Sequence, residues 1–123
     1  MYRLLIEDSF AAAHQLRGYM GKCERLHGHN WKVQAEVKAN ELNDIGLAID
    51  FRDLKTCLKS LLDQVEHHFL NEIPPFDKVN PTSENMAKWL YYQMGNKINS
   101  DMVKVSRIVV WESDTAAAVY SEE

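Results

Sequence analysis

Five histidines are the residues of this chain best suited to bind a metal ion, and they occupy positions 14, 27, 29, 67 and 68. A single glycine separates His27 from His29, so in an extended segment both imidazoles project from the same face. His14 lies in an earlier alternating segment, and antiparallel pairing could bring it beside them. Three histidines form the ligand set of a catalytic zinc with one open position. The spacing also allows the plainer interpretation of one strand histidine and two loop histidines.

The sequence around the two cysteines predicts a different role for each. Cys23 lies four residues before His27. It could be a fourth ligand that closes a structural zinc site, or a base or nucleophile beside the metal. Cys57 lies among the leucines of a predicted helix, and we expect it in the core.

Two acidic residues are also candidates for a site. Glu66 precedes His67 directly, and a carboxylate beside an imidazole can fix its tautomer. Polar residues at a helix end are the plainer interpretation. Glu112 follows a mostly apolar strand, where it could bind a ligand through two adjacent N–H donors. An exposed charge at a strand end is equally compatible with the pattern.

The elements that must position these residues follow from hydrophobic periodicity. Alternation predicts strands over residues 2–7, extendable through 9–16, and over 30–38. A run rich in β-branched residues predicts a strand over 103–111, and 116–120 is expected to be the final strand. Helical spacing predicts helices from 51 to 65 and from about 82 to 96–99, capped by Asp50 and by Thr82 or Ser83. Residues 17–26 and 112–115 are expected to be a loop and a hairpin turn. The order β-β-α-α-β-β predicts an α+β fold with two helices on one face of a four-stranded antiparallel sheet, in one domain spanning 1–123.

Composition narrows the function classes. The chain has 123 residues, a net charge of −4 and a pI near 5.7, with no basic stripe, which argues against a nucleic-acid partner. No apolar run approaches the roughly 20 residues that span a membrane. Two distant cysteines, and acidic residues too early for a secretory leader, predict reduced thiols and a cytoplasmic location.

Six motifs together resemble the 6-pyruvoyl-tetrahydropterin synthase family. They occur in the family's order: FAAAH (10–14), CERLHGHN (23–30), DFRDLK (50–55), HHFLN (67–71), NPTSEN (80–85) and ES (112–113). The resemblance implies the tunnelling fold, or T-fold, whose subunits join their sheets into a barrel-like trimer. Two trimers usually stack into a hexamer, so it implies a homo-oligomer with active sites at subunit interfaces. Unpaired sheet edges are compatible with this assembly.

The resemblance also implies a role for each candidate residue. It makes zinc the cofactor, with His14, His27 and His29 as ligands. Cys23 would be the general base and His67 its proton-relay partner, while Glu112 would bind the amino and ring N–H groups of the pterin. The relay histidine's partner is usually aspartate, and here it is Glu66.

The implied substrate is 7,8-dihydroneopterin triphosphate. In the bacterial branch, which serves queuosine precursor synthesis, the products are 6-carboxy-tetrahydropterin, acetaldehyde and triphosphate. Lys22 and Arg25 are candidates to bind the triphosphate. Glu24 beside Cys23 is typical of members that can also serve folate synthesis by releasing 6-hydroxymethyl-dihydropterin. Pyruvoyl-tetrahydropterin formation, and a non-catalytic zinc module closed by Cys23, are also compatible with the sequence.

Overall fold

Four strands pair in chain order to form one antiparallel sheet. The computed structural model describes residues 1–18 and 25–123. Its strands are β1 (Tyr2–His14), β2 (His27–Ala39), β3 (Val103–Ser113) and β4 (Ala116–Tyr120), in the order β1-β2-β3-β4. The predicted α+β class and element order are therefore confirmed.

Two helices connect β2 to β3, and each begins at a predicted cap. Helix α1 spans Phe51–Leu62, and the Asp50 side chain accepts a hydrogen bond from the Arg52 N–H. Helix α2 spans Ser83–Ile98, and Thr82 accepts from the Asn85 N–H. These bonds satisfy amide groups that have no partner within a helix's first turn. A short 3-10 helix at Leu70–Glu72 lies between them.

The core lies between the two helices and one face of the sheet. Ile6 and Phe10 on β1 lie opposite Ala35 and Trp31 on β2, and all four are buried. The apolar stripes of both helices complete the core with Leu54, Leu58, Leu61, Met86, Leu90 and Met94. Cys57 is buried on α1, as predicted.

Several boundaries differ from the sequence-based prediction. Helix α1 ends at Leu62 rather than at residue 65, because the chain turns to place His67 N–H against the carbonyl oxygen of Ala11. Strand β2 begins at His27, three residues earlier than expected, because His27 and His29 pair with β1. Strand β3 continues to Ser113, so Glu112 lies in the strand and not in the hairpin turn.

One edge of the sheet is partly covered by the chain itself. Beyond β1, the Ala13 N–H donates to the carbonyl oxygen of His68 at 3.1 Å, and Ala13 forms a parallel bridge with Phe69. This short segment brings residues 66–69 beside the final residues of β1. Among the described helices, none combines the length and the apolar character needed to cross a bilayer.

Candidate functional site

Strand register brings three histidines to one end of the core. His14 pairs directly with His27, and Ala12 pairs with His29. Phe10 and Trp31, two core residues, form another pair in the same register. Because side chains alternate along a strand, the three imidazoles project from the core face, as the sequence predicted.

Backbone carbonyl groups fix the protonation of two of these rings. The Nδ1 atom of His14 lies 2.8 Å from the carbonyl oxygen of Pro81, and Nδ1 of His27 lies 2.7 Å from that of Arg25. A carbonyl oxygen can only accept, so each Nδ1 carries the proton. In the neutral tautomer that these bonds select, Nε2 carries a free lone pair, which is the state that binds a metal.

The Nε2 atoms of the three histidines face one another and a carboxylate. Nε2 of His14 lies 3.0 Å from Nε2 of His27, and Glu112 Oε1 lies 3.3 Å from Nε2 of His14 and 3.1 Å from Nε2 of His29. Despite that proximity, the buried Nε2 of His29 makes no hydrogen bond to any described residue. Acceptor atoms crowded in this way repel one another unless a cation lies between them.

The spacing of these atoms suits a small divalent ion. All four ligand atoms lie within 4.8 Å of one another. A tetrahedral ion with bonds of about 2.0–2.1 Å separates its ligand atoms by about 3.3–3.4 Å. The shorter separations among His14, His27, His29 and Glu112 are close to that value. The group can therefore hold a metal ion.

Burial keeps the imidazoles available to a metal. Desolvation is the main cause that lowers the pKa of His14, and His27 and His29 add to it, while the bond to Pro81 and the Glu112 carboxylate oppose it. Desolvation also lowers the pKa of His29, against the attraction of Glu112. Both rings are therefore neutral near pH 7, and a neutral ring is the form that ligates.

Trp31 forms the floor of the cluster. It is fully buried, and its ring centroid lies 4.9 Å from that of His14 and 5.3 Å from that of His29, edge to face in both cases. Its Nε1–H donates to the carbonyl oxygen of Ala12 at 3.3 Å, and Phe10 stacks against it. These contacts limit rotation of the two histidine rings.

Glu112 reaches the histidines because of irregularities in β3. Glu36 pairs with Arg107 but Val37 pairs with Val105, so Ser106 is an extra residue. This bulge shifts the core face from odd to even positions, and Val110 and Glu112 then lie on it. The register between β3 and β4 also shifts between Trp111 and Ser113, which leaves Glu112 as the extra residue there. Sequence periodicity did not predict that this carboxylate joins the histidines.

Glu112 also borders open space. Its side chain is 37% exposed, so it is accessible from outside the cluster. A cleft of about 440 Å³ lies beside it, lined by Ser83, Glu84, Glu112 and Ala116 to Val119. The carboxylate is thus placed to contact both the histidines and a molecule in the cleft.

His67 and Glu66 lie beside Ala11 of β1. The Glu66 carboxylate accepts from the Ala11 N–H at 3.0 Å and lies 3.3 Å from Nε2 of His67. His67 has φ of 59°, a left-handed conformation that is costly for a residue with a side chain. Its side chain is 77% exposed and shares with His29 a cleft of about 530 Å³. Glutamate in place of the expected aspartate therefore still contacts His67.

Three predicted residues lie outside the described part of the chain: Lys22, Cys23 and Glu24. Arg25 is described and exposed, and its carbonyl oxygen holds His27. The buried Cys57 thiol has a pKa raised by desolvation, which suits an unreactive core residue.

Comparison with known proteins decides the family. The family model described as 6-pyruvoyl tetrahydropterin synthase matches residues 3–123. The chain belongs to the 6-pyruvoyl tetrahydropterin synthase family. This confirms the resemblance seen in the sequence and the prediction of an enzyme.

Individual members of the family give a finer comparison. The chain is 33% identical to a 6-carboxy-5,6,7,8-tetrahydropterin synthase of Synechocystis, over 98% of this chain and 93% of the relative. It is 31% identical to a dihydroneopterin monophosphate aldolase of Pyrococcus furiosus, over 91% and 90%. A solved 6-pyruvoyl tetrahydropterin synthase of Caenorhabditis elegans superposes with a TM-score of 0.88 at 23% identity, covering 99% and 96% of the two chains. That likeness confirms the T-fold.

Proposed function

We propose that this protein is a zinc-dependent 6-carboxy-5,6,7,8-tetrahydropterin synthase acting on 7,8-dihydroneopterin triphosphate. The observation that carries the proposal is the convergence of His14, His27 and His29 with Glu112, beside clefts open to solvent. The Synechocystis relative supports this choice of product. The proposed setting is queuosine precursor synthesis.

Each residue of the cluster has a distinct task in this proposal. His14, His27 and His29 would hold the zinc ion, which would supply Lewis-acid activation of the hydroxyl groups of the substrate side chain. Glu112 anchors the pterin, because a carboxylate can accept from the amino group and the adjacent ring N–H together. Its partial exposure toward the 440 Å³ cleft supports this role.

Proton transfer is assigned to Cys23 and His67. The Cys23 thiolate removes a proton from the side chain, and His67 relays or returns one, with Glu66 holding the imidazole. The position of His67 in the same cleft as His29 supports its part. Triphosphate then leaves. Addition of one water molecule and cleavage of a carbon–carbon bond release acetaldehyde and leave the carboxy-pterin, so the carboxylate gains its second oxygen from that water. Lys22 and Arg25 are proposed to bind the triphosphate.

Product analysis tests the proposed reaction. Zinc-loaded protein is incubated with 7,8-dihydroneopterin triphosphate, and the products are identified by mass. We expect 6-carboxy-tetrahydropterin together with acetaldehyde and triphosphate. A pyruvoyl product without acetaldehyde would place the chain in the other branch of the family.

A second candidate function is formation of 6-hydroxymethyl-dihydropterin, as in the folate branch. Glu24 directly after Cys23 and the aldolase relative favour it. Cys23→Ala and Glu24→Gln separate the two activities. Loss of the carboxy product in the first and of the hydroxymethyl product in the second would show a dual-function enzyme.

A closed, non-catalytic zinc module is the opposing hypothesis, and metal content tests it. We expect Cys23→Ala and Glu112→Gln to retain zinc, while Cys23→Ala loses about 10²–10⁴ of its turnover. Glu112→Gln should bind pterin weakly, because an amide presents one acceptor oxygen where the carboxylate presents two. Loss of the metal in either variant would show that the residue is a fourth ligand and that the site is closed.

Assembly into a homo-oligomer is part of the proposal. Among the described strands, β1 and β4 lie at the two edges of the sheet. The part of β1 before Ala11 and the outer edge of β4 could each pair with a strand of another copy. Light scattering on the purified protein tests this, and a monomer with full turnover would contradict active sites shared between subunits.

A further inference from the structure

Two asparagine side chains hold the end of β1, and the proposed reaction uses neither of them. The pairing of β1 with β2 ends at His14. Beyond it, the backbone groups of Gln15 and Arg17 no longer face β2. Their partners come instead from two segments that are distant in sequence, at Asn71 and Asn80.

Each asparagine binds one residue through both of its polar atoms. The Oδ1 atom of Asn71 accepts from the Gln15 N–H at 2.9 Å, and its Nδ2 donates to the Gln15 carbonyl oxygen at 2.7 Å. Asn80 repeats this arrangement on Arg17, at 2.9 Å and 2.8 Å. The two amides thus replace the missing strand partner at two alternate positions of the chain.

We call each pair of amide bonds, Asn71 with Gln15 and Asn80 with Arg17, an asparagine clamp. The Asn80 clamp is held by further hydrogen bonds and adjoins the histidine cluster. The carbonyl oxygen of Asn80 accepts from the Thr82 N–H and from the Asn85 side chain, both at 2.9 Å. The next residue, Pro81, provides the carbonyl oxygen that accepts from Nδ1 of His14. One short segment therefore fixes both the backbone after His14 and the ring of His14.

We propose that Asn71 and Asn80 are positioning residues that lock the end of β1 so that His14 keeps its ring against Pro81 and its Nε2 in the cluster. They act through the backbone and contact neither metal nor substrate. This accounts for two sequence motifs, HHFLN and NPTSEN, whose asparagines have no part in the proposed chemistry.

The chemistry of the clamp requires a primary amide. Only an amide offers one acceptor and one donor side by side, as a backbone N–H and C=O pair demands. In Asn71→Asp or Asn80→Asp the shape is retained but the donor is replaced by an oxygen. That oxygen would face the carbonyl oxygen of Gln15 or Arg17 and repel it.

The test measures the ring of His14 and metal affinity separately. In metal-free protein labelled with ¹⁵N, the His14 Nδ1–H should give a slowly exchanging resonance because the ring is buried and bonded. We expect Asn80→Asp to lose or broaden this resonance and Asn71→Asp to weaken it. Co²⁺ titration of the folded variants should show affinity reduced about tenfold, as for other residues that orient a ligand.

Asn43→Ala is the control for a general loss of stability. The Asn43 side chain also binds two backbone N–H groups, those of Ile45 and Leu47, but it lies in the loop between β2 and α1. It should lose stability without any change in the His14 resonance or in Co²⁺ affinity. A general effect of removing a loop asparagine is thereby separated from an effect on the site.

The Co²⁺ affinity measurement rests on the proposed function, whereas the His14 Nδ1–H resonance does not depend on it. If the wild-type protein binds no Co²⁺ or Zn²⁺, the proposed function fails while the His14 resonance still tests the clamps. Unchanged resonance and unchanged affinity in both aspartate variants would overturn the inference. If neither variant folds, side-chain amide exchange in the wild type decides, since rapid exchange at Asn71 and Asn80 would show that the clamps do not form.

Discussion

Two polar clusters lie on opposite faces of the same three strands, and they differ in how their charges and lone pairs are balanced. On the outer face, Glu36 is only 6% exposed, yet its carboxylate is fully bonded. Arg3 donates at 2.9 Å, Arg107 at 3.0 Å and Ser106 at 2.8 Å. On the core face, Glu112 and three histidine nitrogens converge, and no described residue donates a well-directed hydrogen bond to Nε2 of His29.

The contrast separates a cluster whose partners lie within the chain from one that can hold a metal ion. A buried carboxylate with two guanidinium groups and a hydroxyl group has its partners within the chain. The core-face group, of which only His14 is fully buried, lacks such donors among the described residues, and a metal ion can supply the missing positive charge. The number of donors facing the acceptors, more than burial or charge alone, distinguishes the two faces.

Removing a histidine should have the largest effect. We expect His14→Ala to weaken metal binding more than about 100-fold, beyond the 10–100-fold typical of residues that only orient ligands, and to abolish turnover. Metal content after dialysis and Co²⁺ titration measure this. Glu36→Gln is the control on the opposite face and should bind metal like the wild type. Equal affinity in His14→Ala would remove His14 from the metal site.

Breaking the outer cluster should affect stability alone. We expect Glu36→Ala to lower the free energy of unfolding by about 2 kcal/mol, since it removes charged hydrogen bonds from two arginines and a serine. The Arg3 and Arg107 side chains are 44% and 42% exposed, so water partly replaces the lost carboxylate. Urea unfolding of metal-free protein measures the change. A parallel loss of Co²⁺ affinity would show that the two faces are coupled.

Relieving the strain at His67 should have a smaller effect of opposite sign. We expect His67→Gly to raise the free energy of unfolding by about 0.5–1 kcal/mol relative to His67→Ala, because glycine adopts a φ of 59° without strain. Thermal unfolding compares the two variants. Both should lose turnover if His67 relays a proton. Equal stability of the two would show that the left-handed conformation stores no strain.

Acidification should produce the smallest change, and only at the core-face cluster. Burial lowers the folded-state pKa of His14 and His29, so the unfolded chain binds protons more readily than the folded chain below about pH 6.5. Metal-free protein should therefore be less stable at about pH 5.5 than at about pH 7.5 in urea unfolding. His14→Gln should reduce this difference, whereas Glu36→Gln should not. A larger difference in His14→Gln would contradict the sign of the shift.

Local periodicity determined the elements and several of their details. Alternation predicted the first two strands, β-branched content predicted β3, and helical spacing predicted both helices. Residue type identified Asp50 as one cap and limited the other to Thr82 or Ser83, of which Thr82 is the cap. His27 and His29 lie two residues apart, so their common face followed from strand geometry alone. These features depend on neighbours within a few residues, which the sequence shows directly.

Tertiary structure alone decided that Glu112 and the Pro81 carbonyl meet the histidines and that Asn71 and Asn80 bind the chain after His14. The bulge at Ser106 shifts the core face of β3, and because both odd and even positions there are apolar, periodicity could not fix the side on which Glu112 lies. The Pro81 carbonyl meets His14 across 67 residues, and Asn71 meets Gln15 across 56. These long-range hydrogen bonds depend on how the segment between the helices packs against the end of β1. No pattern within a few residues of sequence predicts that packing.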